Sequence, residues 1–354
     1  ELSTHQRMSL VYQHQEPDRV PITDSFWEST IARWRSEGLP HGADACRHFE
    51  LDDIVSIGID TSPRFEAKVI EETDSYKIES DQWGITKKNF KPVSATFEHI
   101  DHIVRDRKSW QVAKERMTPT ADRINWSSLE KHYPGWRKRG AWITVAPWFG
   151  YDIVNARMCD TETILYAMAD DPEWVKDMCD HGCDLALSLL DMMWDKGYTV
   201  DELMWYDDMA YRNGLLFSKD MWRTIIKPYQ KRTIDWAHAR GVKAHLHCCG
   251  NIAALIPDLL DLGLDALNPL EIKAGMDPIE TKKKYGKDLV LRGGFDIQNW
   301  SDAVKVEEDI RRVLPVMMKS GGYIFSSDHS VADSVSFQDY SHIVSLVKNI
   351  GTYE

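Results

Sequence analysis

The sequence has 354 residues, of which 43% are hydrophobic and 28% are charged, as is typical of a folded globular protein. The formal net charge of −13 disfavours broad binding to nucleic acids or anionic membranes. No run of about 18 apolar residues is present, so we expect no transmembrane helix. The polar start resembles neither a signal peptide nor a transit peptide. Six cysteines are too few for a disulfide framework, and we expect a reducing, cytoplasmic location.

Apolar runs in the first part of the chain predict strands that are interrupted by one polar excursion. Residues 1–19 predict a short helix, and strands are expected at 20–27 (VPITDSFW) and 54–62 (IVSIGIDTS). Residues 65–100 alternate polar and apolar side chains and are too polar for a buried parallel strand. This stretch predicts an antiparallel meander with a turn near Asp74–Ser75, placed so that it can cover one end of the main domain.

The rest of the chain alternates predicted helices and strands. Residues 103–139 are rich in Lys and Arg and are typical of a solvated helical face, and 142–149 (WITVAPWF) predicts a buried strand. Further strands are expected at 199–211, 243–250, 265–271, 289–296 and 322–329. Helices are expected at 161–197, 218–239, 251–262, from 277, at 301–319 and at 337–350, with Ser218 and Ser301 as N-caps.

This alternation with short links predicts parallel strands joined by right-handed crossovers. Strand starts fall near residues 20, 54, 142, 199, 243, 265, 289 and 323, which gives the eight strand–helix units of a TIM barrel. A doubly wound sheet is the alternative, but the Gly-rich phosphate loop that it needs after its first strand is absent. We therefore expect an α/β fold, a TIM (β/α)8 barrel with an antiparallel excursion near 65–100, in one domain over residues 1–354.

Chemically useful side chains recur at the carboxyl ends of these predicted strands, where a TIM barrel places its active site. They are Trp27, Trp148, Phe149, Asp207, Asp208, His245, His247, Cys249, Glu271, Asp296, Asp328 and His329. Of the two adjacent aspartates, which we expect to act in catalysis, one should face the barrel mouth and the other a backbone N–H. The candidates for substrate binding are Trp27, Trp148, Phe149, Glu271, Asp296 and His329. Core packing is the alternative for the aromatic residues, and helix capping for the two acids.

The segment KAHLHCCG, from Lys243 to Gly250, concentrates two imidazoles and two thiols at one strand end. Imidazole nitrogen and thiolate sulfur are ligands that zinc prefers. Because residues two apart on a strand point to the same side, His247 and Cys249 are expected to share one face as metal ligands. Cys248 then faces the core. His245 points the same way as His247 but one layer deeper, where a catalytic role and a buried, hydrogen-bonded role are both open.

Longer motifs give a family resemblance. HCCGNIAALIPDLLDLGLDALNPLE (247–271) and AGMDPIETKKKYGKDLVLRGGFD (274–296) resemble the uroporphyrinogen decarboxylase superfamily. That superfamily includes corrinoid-dependent methyltransferases that act on methanol, methylamines and methoxyaromatics. YDDMAYRNGLLFSKDMWRTIIKPYQKR (206–232) and GGYIFSSDHSV (321–331) also resemble it, so the match covers about residues 199–335. The resemblance implies a TIM barrel, in agreement with the strand count.

Two features favour the methyltransferase branch of that superfamily. Uroporphyrinogen decarboxylase has an arginine-rich motif at its first strand that binds a substrate with eight carboxylates, and here that strand end is DSFWES (24–29), without arginine. The His-x-Cys-Gly motif of the methyltransferases, whose His and Cys hold zinc, is matched by His247–Gly250. The third ligand of that family is a cysteine near the last strand end. This chain has no cysteine there, and Asp328 is expected to replace it, with His329 as the alternative.

The resemblance therefore implies a zinc-dependent methyltransferase, with zinc as a Lewis acid held by His247, Cys249 and Asp328. A carboxylic acid such as Asp207 would protonate the leaving oxygen. No Asp-x-His-x-x-Gly motif is present, so the cobalamin that exchanges the methyl group is expected on a partner protein. The second partner is a small methylated molecule, and the aromatic surplus suggests a methoxylated aromatic. A decarboxylase of a smaller acid and a non-catalytic tetrapyrrole-binding protein stay open as alternatives, as does a homodimer.

Overall fold

The computed structural model describes residues 1–91 and 97–353. The strands are β1 (Ile54–Ile57), β2 (Lys68–Glu72), β3 (Tyr76–Ser80), β4 (Ile85–Phe90), β5 (Glu98–His102), β6 (Trp142–Val145), β7 (Glu202–Tyr206), β8 (Ala210–Tyr211), β9 (Gly214–Leu215), β10 (Lys243–His247), β11 (Ala266–Asn268), β12 (Val290–Arg292) and β13 (Tyr323–Ile324). The α-helices are α1 (Thr4–Tyr12), α2 (Glu28–Glu37), α3 (Ala45–His48), α4 (Arg107–Arg116), α5 (Trp126–Lys138), α6 (Tyr151–Ile153), α7 (Thr161–Asp170), α8 (Pro172–Asp195), α9 (Lys219–Met221), α10 (Lys227–His238), α11 (Ile256–Asp261), α12 (Pro278–Tyr285), α13 (Ala303–Met318) and α14 (Phe337–Ile350).

Seven parallel strands form one curled sheet in the order β1-β6-β7-β10-β11-β12-β13. Strands that are adjacent in this sheet are also consecutive barrel strands along the chain. The helices that connect them therefore pack on the outside of the sheet. This confirms the predicted TIM-barrel-like α/β fold. No helix among the described residues has the length and apolar character that a membrane crossing requires.

The eighth strand position is filled by the segment 20–24, which makes isolated contacts and no regular ladder. Ile22 forms a parallel bridge with Phe325, and the Phe325 N–H donates to the Pro21 carbonyl at 2.8 Å. Pro21 has no N–H to donate, and the Ile22 N–H donates to the Asp52 carboxylate at 2.8 Å instead of to a strand. In place of the strand predicted at 20–27, the structure therefore has only isolated bridges on the side that faces β13.

The lower end of the barrel is closed by α1. Met8, Val11 and Tyr12 pack in one buried cluster with Trp142, Ala266, Val290 and Ile324, which come from four of the barrel strands. Above them Glu202 accepts hydrogen bonds from Tyr12 Oη at 2.9 Å and Trp142 Nε1 at 2.8 Å. The short helix predicted over residues 1–19 thus serves as the plug that closes the lower end of the barrel.

The polar excursion is the predicted antiparallel meander. Its strands pair in the order β2-β3-β4-β5, and the first turn falls between Glu72 and Tyr76, as predicted. Residues 92–96 of the predicted range lie outside the described residues. The meander reaches the barrel rim through Trp83, whose ring stacks on Trp148 with centroids 6.4 Å apart. It therefore borders the end of the barrel where the strands terminate.

Proline residues explain where the predicted helices differ from the observed ones. The helix expected at 161–197 is divided between α7 and α8, and Pro172 begins the second of them because it has no N–H to continue the first. The helix expected from residue 251 begins only at Ile256, with Pro257 in its first turn.

The N-cap expected at Ser301 is instead Asp302, whose carboxylate accepts from the N–H groups of Val304 and Lys305.

Arg7 holds the plug helix to the barrel through buried ion pairs, and it is only 2% exposed. Its guanidinium donates to Asp52 at 2.6 Å and to Asp18 at 2.8 Å. We expect Arg7→Met to lower the free energy of unfolding by about 3 kcal/mol, because it removes the closer of the two arginine partners of the buried Asp52 carboxylate. Urea denaturation at pH 7 measures this.

The matched control for Arg7 is Arg311→Met, which breaks an exposed pair with Glu307 on α13. Such surface pairs contribute roughly 0–1 kcal/mol, so this variant should unfold close to the wild type. If the two variants lose the same free energy of unfolding, then the buried ion pairs of Arg7 stabilise the protein no more than an exposed pair does.

Candidate active site

A cavity of about 360 Å³ opens at the carboxyl ends of the barrel strands, and we call it the mouth pocket. Four of its walls are the last residues of adjacent strands, namely Tyr206 of β7, His247 of β10, Asn268 of β11 and Arg292 of β12. Tyr206 pairs in register with His247, and His247 pairs with Asn268. The pocket volume lies in the range of small-molecule sites, at the barrel end where enzymes of this fold carry out their chemistry.

A thiol, an imidazole and a carboxylate come together beside the mouth pocket, and the first two of them line it. Cys249 Sγ lies 3.3 Å from His247 Nε2, and Asp208 Oδ1 lies 3.9 Å from the same nitrogen. One ligand atom from each residue fits within a group whose members are all within 4.8 Å of one another. Asp208 belongs to the loop after β7, and the other two residues belong to the end of β10. We call these three residues the metal cluster.

The backbone after β10 is held on every side, and this fixes the direction of the two predicted ligands. The Cys248 N–H donates to the Asn268 carbonyl at 2.9 Å, and the Cys249 N–H donates to Asp208 Oδ1 at 2.7 Å. The Gly250 N–H donates to Glu271 Oε2 at 2.6 Å. Cys248 is buried on the opposite side, as predicted, with its sulfur 3.3 Å from the Met209 N–H.

The donor set and its spacing fit zinc. Tetrahedral zinc with Cys, His and carboxylate ligands places ligand atoms about 3.3–3.8 Å apart, close to the separations in the metal cluster. Sulfur and nitrogen donors favour zinc over magnesium or calcium. Three protein ligands also leave a fourth position open, which is the pattern of catalytic zinc sites.

Asn268 supplies the outer contact that a zinc-bound histidine needs. Its Nδ2 lies 3.0 Å from His247 Nδ1, while its Oδ1 is buried with no hydrogen-bond partner among the described residues. Turning the amide by 180° exchanges the two atoms and lets Nδ1–H of His247 donate to Oδ1. Nε2 is then free to bind a metal ion, and the unpaired Oδ1 is satisfied.

The electrostatic surroundings favour a cation at the cluster. Burial, aided by His245 and Arg292, lowers the pKa of His247 to about 3, so its imidazole is neutral and able to bind metal. Burial and the neighbouring Asp208 raise the pKa of the Cys249 thiol far above its usual range. Burial, together with Asp208 and Asp207, raises the pKa of Asp152 to about 7. Excess negative charge around one thiol is relieved when a divalent ion binds.

Asp207 and Asp328, two predicted site residues, lie outside the metal cluster. Asp207 is fully buried, and it accepts from Tyr229 Oη and Gln230 Nε2, both at 2.8 Å. Asp328 accepts from the Ile272 N–H at 3.1 Å and the Ile297 N–H at 3.0 Å, so it joins the loops after β11 and β12. Asp207 thus fastens the end of β7 to α10, and Asp208 lies beside His247 and Cys249 where Asp328 was expected.

Three further predicted residues also make structural contacts. His245 is fully buried and its Nδ1 lies 2.8 Å from Glu202 Oε1, which corresponds to the hydrogen-bonded role. Glu271 accepts from Gly250, so it positions the metal cluster without lining the mouth pocket. Asp296 accepts from the Gln298 N–H at 2.9 Å and lines a separate cavity of about 430 Å³.

The predicted aromatic walls divide between rim and core. Phe149 is buried and packs edge-on against Tyr229, 6.2 Å between centroids, so it belongs to the core. Trp148 is 38% exposed at the rim, with the Arg157 guanidinium 4.3 Å from its ring centre. Trp27 packs edge-on against His329, which lines the mouth pocket. His329 and Trp27 therefore stand nearest to the position expected of substrate-binding residues.

Sequence reasoning missed Asn268, Arg292 and Asp152. Asn268 and Arg292 are the inward-facing last residues of β11 and β12, whereas the predicted strand ends were placed at Glu271 and Asp296. The alternation of buried residues along each strand carries the information that could have found them. Asp152 lies in α6, after the aromatic run that follows β6, and no pattern singled it out.

The comparisons with known proteins agree with this architecture. A family model described as "Uroporphyrinogen decarboxylase (URO-D)" matches residues 144–350, more than half of the chain. The chain therefore belongs to the uroporphyrinogen decarboxylase family. The uroporphyrinogen decarboxylases of Bacillus thuringiensis (strain Al Hakam) and Bacillus anthracis are each 30% identical to it over 122 residues, 32% of this chain and 32% of each relative. The match thus spans about a third of the length of these relatives.

Among solved structures, a methyltransferase from Methanosarcina mazei is similar in fold. The TM-score is 0.67, with 14% sequence identity over 99% of both chains. At this identity the similarity establishes the shared fold, including the parts of the chain before residue 144 that the family model does not cover.

Gly250 is required where the chain leaves the metal cluster. Its φ is +82°, and an added Cβ would lie 2.5 Å from the carbonyl carbon and oxygen of Ala210. We expect Gly250→Ala to lower the free energy of unfolding by about 2–3 kcal/mol in urea denaturation, because backbone overlap adds to the strain of the left-handed conformation.

Gly241→Ala is the matched control for that substitution. Gly241 has φ +70°, but nothing lies within 4 Å of its added Cβ. It should therefore show only the conformational cost, about 1 kcal/mol. If the two glycine variants unfold alike, the close approach of Ala210 does not constrain the cluster.

Proposed function

We propose that this protein is a zinc-dependent methyltransferase that moves a methyl group between a small methylated substrate and a corrinoid on a partner protein. The observation that carries the proposal is the metal cluster, in which Cys249 and Asp208 stand 3.3 and 3.9 Å from His247 Nε2 at the barrel mouth. Membership of the uroporphyrinogen decarboxylase family and the His-x-Cys-Gly motif at 247–250 support it. The free state of all six thiols fits the reducing cytoplasm in which we place the protein.

The residues of the chain have separable tasks in this proposal. Bound zinc would supply Lewis acidity, which stabilises negative charge on an oxygen or sulfur atom that gains or loses a methyl group. Asp208, His247 and Cys249 hold the ion, and Asn268 orients the imidazole. In the metal-free site, burial and the neighbouring Asp208 and Asp207 raise the pKa of Asp152 to about 7. We assign it the protonation of the leaving oxygen, in place of Asp207, whose carboxylate is sealed among its donors.

The corrinoid is assigned to a partner because the sequence has no cobalamin-binding Asp-x-His-x-x-Gly motif. The lower end of the barrel is plugged by α1, so the partner has to present the cobalt at the mouth pocket. A methoxylated aromatic is the substrate class we assign. Trp27 and His329 pack edge-on at the rim of the pocket. The aromatic ring of such a substrate would be attracted to the faces and edges of these two side chains.

The family description also favours a second candidate, decarboxylation of a carboxylic acid. Uroporphyrinogen itself, with eight carboxylates, is disfavoured because Arg292 is the single arginine or lysine among the described residues that line the mouth pocket. A smaller acid would fit. Release of CO2 from a substrate by protein that is free of metal would favour this candidate over methyl transfer.

Metal analysis tests the proposed ligands. We expect the purified protein to bind one equivalent of zinc, and His247→Ala and Cys249→Ala to retain almost none, because each removes a primary ligand. Asp208→Asn should weaken zinc binding by about 100-fold or more. Asn268→Ala, which removes only the outer contact to His247, should weaken it by about 10- to 100-fold. Competition with a chromogenic chelator gives the affinities.

The control for these variants is Asp328→Asn. Its carboxylate accepts from two loop N–H groups, so the variant should melt at a lower temperature but keep one zinc. Loss of zinc from this variant, with zinc retained by Asp208→Asn, would reverse our choice of the third ligand.

Methyl transfer is followed by the absorbance of cobalamin. With a methoxylated aromatic as donor and cob(I)alamin as acceptor, the zinc-loaded protein should form methylcobalamin, and free cobalamin can replace the partner at high concentration. We expect Cys249→Ala to lower the rate by at least about 1000-fold, in proportion to its lost zinc. A metal-free variant that transfers methyl groups at the wild-type rate would contradict the proposed function.

A further inference from the structure

Arg292 is a cation without a partner at the base of the mouth pocket. It is the last residue of β12, and its side chain is half-buried. Its Nε is buried with no hydrogen-bond partner, and no carboxylate of residues 1–91 or 97–353 forms an ion pair with its guanidinium. The other buried arginine that we have described, Arg7, has two carboxylate partners. A guanidinium in a cavity without a counter-ion costs free energy. We therefore expect an anionic ligand to bind beside it.

Two carboxylates of the barrel, Asp24 and Glu202, are already occupied by other donors. Asp24 accepts from the Ser327 N–H at 2.9 Å and from Tyr340 Oη at 2.8 Å. Glu202 accepts from Tyr12 and Trp142 and pairs with His245. Arg292 lines both the mouth pocket and the neighbouring cavity of about 380 Å³ that Asp24, Asp44, Asp52 and Asp53 line, and none of these described carboxylates lies within ion-pair distance of its guanidinium.

The distance between Arg292 and the metal cluster sets the length of a ligand that contacts both. β12 lies two strands from β10, so Arg292 and His247 start about 10 Å apart on the barrel wall, with Asn268 between them. Among the described residues that line the mouth pocket, Arg292 is the single Asp, Glu, Lys or Arg. The mouth pocket is thus polarised, with an anion-binding group at one end and a cation-binding group at the other.

We propose that Arg292 binds the carboxylate of the substrate and so selects small methylated acids whose methyl-bearing atom then faces the metal cluster. This inference rests on the proposed function for the identity of the reacting group, but the anion site itself does not depend on metal. A guanidinium and a carboxylate form two parallel hydrogen bonds, which fix the direction of the bound acid as well as its position. A neutral methylated compound of the same shape lacks that contact.

The test compares 4-methoxybenzoate with its neutral amide, 4-methoxybenzamide, by isothermal titration calorimetry on the metal-free protein. Removing the metal prevents the carboxylate from binding zinc directly. We expect the acid to bind more tightly than the amide, and Arg292→Met to weaken binding of the acid by about 10- to 100-fold with little change for the amide. Arg292→Gln, also neutral, gives the same comparison if the methionine variant does not fold.

Two controls separate the anion site from its surroundings. Arg47→Met removes an exposed arginine from a neighbouring cavity of about 380 Å³ that Arg292 also lines, and it should bind the acid like the wild type. Lys273→Met removes an exposed lysine that does not line the mouth pocket, and it should also bind the acid like the wild type. The inference is overturned if the acid and the amide bind alike, or if the Arg292 variants bind the acid as tightly as the wild type. It is also overturned if Arg47→Met causes an equal loss.

Discussion

The register of β10 between its two neighbours is the constraint on which this site depends. His247 is paired with Tyr206 on one side and with Asn268 on the other. Because side chains on a strand alternate, a slip of one residue would turn Leu246 and Cys248 toward the mouth and bury both ligands. The next N–H groups are bound in turn by Asn268, Asp208, Glu271 and Tyr211. The cluster is therefore held by the barrel itself, which is how rigid binding sites are built.

Much of the fold could be predicted from the sequence because barrel strands are buried on both faces. Apolar runs such as those of β6 and β10 stand out against polar helices, and their regular spacing indicates eight units. The segment 20–24 could not be foreseen as a set of bridges, since the competing donor and acceptor groups come from Pro21 and from the distant Asp52. Helix starts were displaced by Pro172 and Pro257, whose effects are local and could have been anticipated.

The candidate site was predictable only in part, because composition shows which groups are present but not which way they point. Strand alternation predicts that His247 and Cys249 share one side, whereas their role as metal ligands is what the donor chemistry and the family resemblance imply. Choosing Asp208 over Asp328 required knowledge of which carboxylate lies beside His247 and Cys249, and this depends on how loops far apart in sequence are placed. Arg292 was overlooked because strand ends were placed in the following loops, at Glu271 and Asp296. The placement of Arg292 two strands away from His247 in the mouth pocket emerges only once the strands are side by side.

X-ray absorption at the zinc edge of the loaded protein tests the central claim most directly. The account predicts one sulfur at about 2.3 Å from zinc, from Cys249, with the other ligands nitrogen or oxygen at about 2.0–2.2 Å. Cys249→Ala should abolish the sulfur contribution, and Cys248→Ala should leave it unchanged. A shell with two sulfurs, or with none, would contradict the arrangement of β10 on which the proposed chemistry depends.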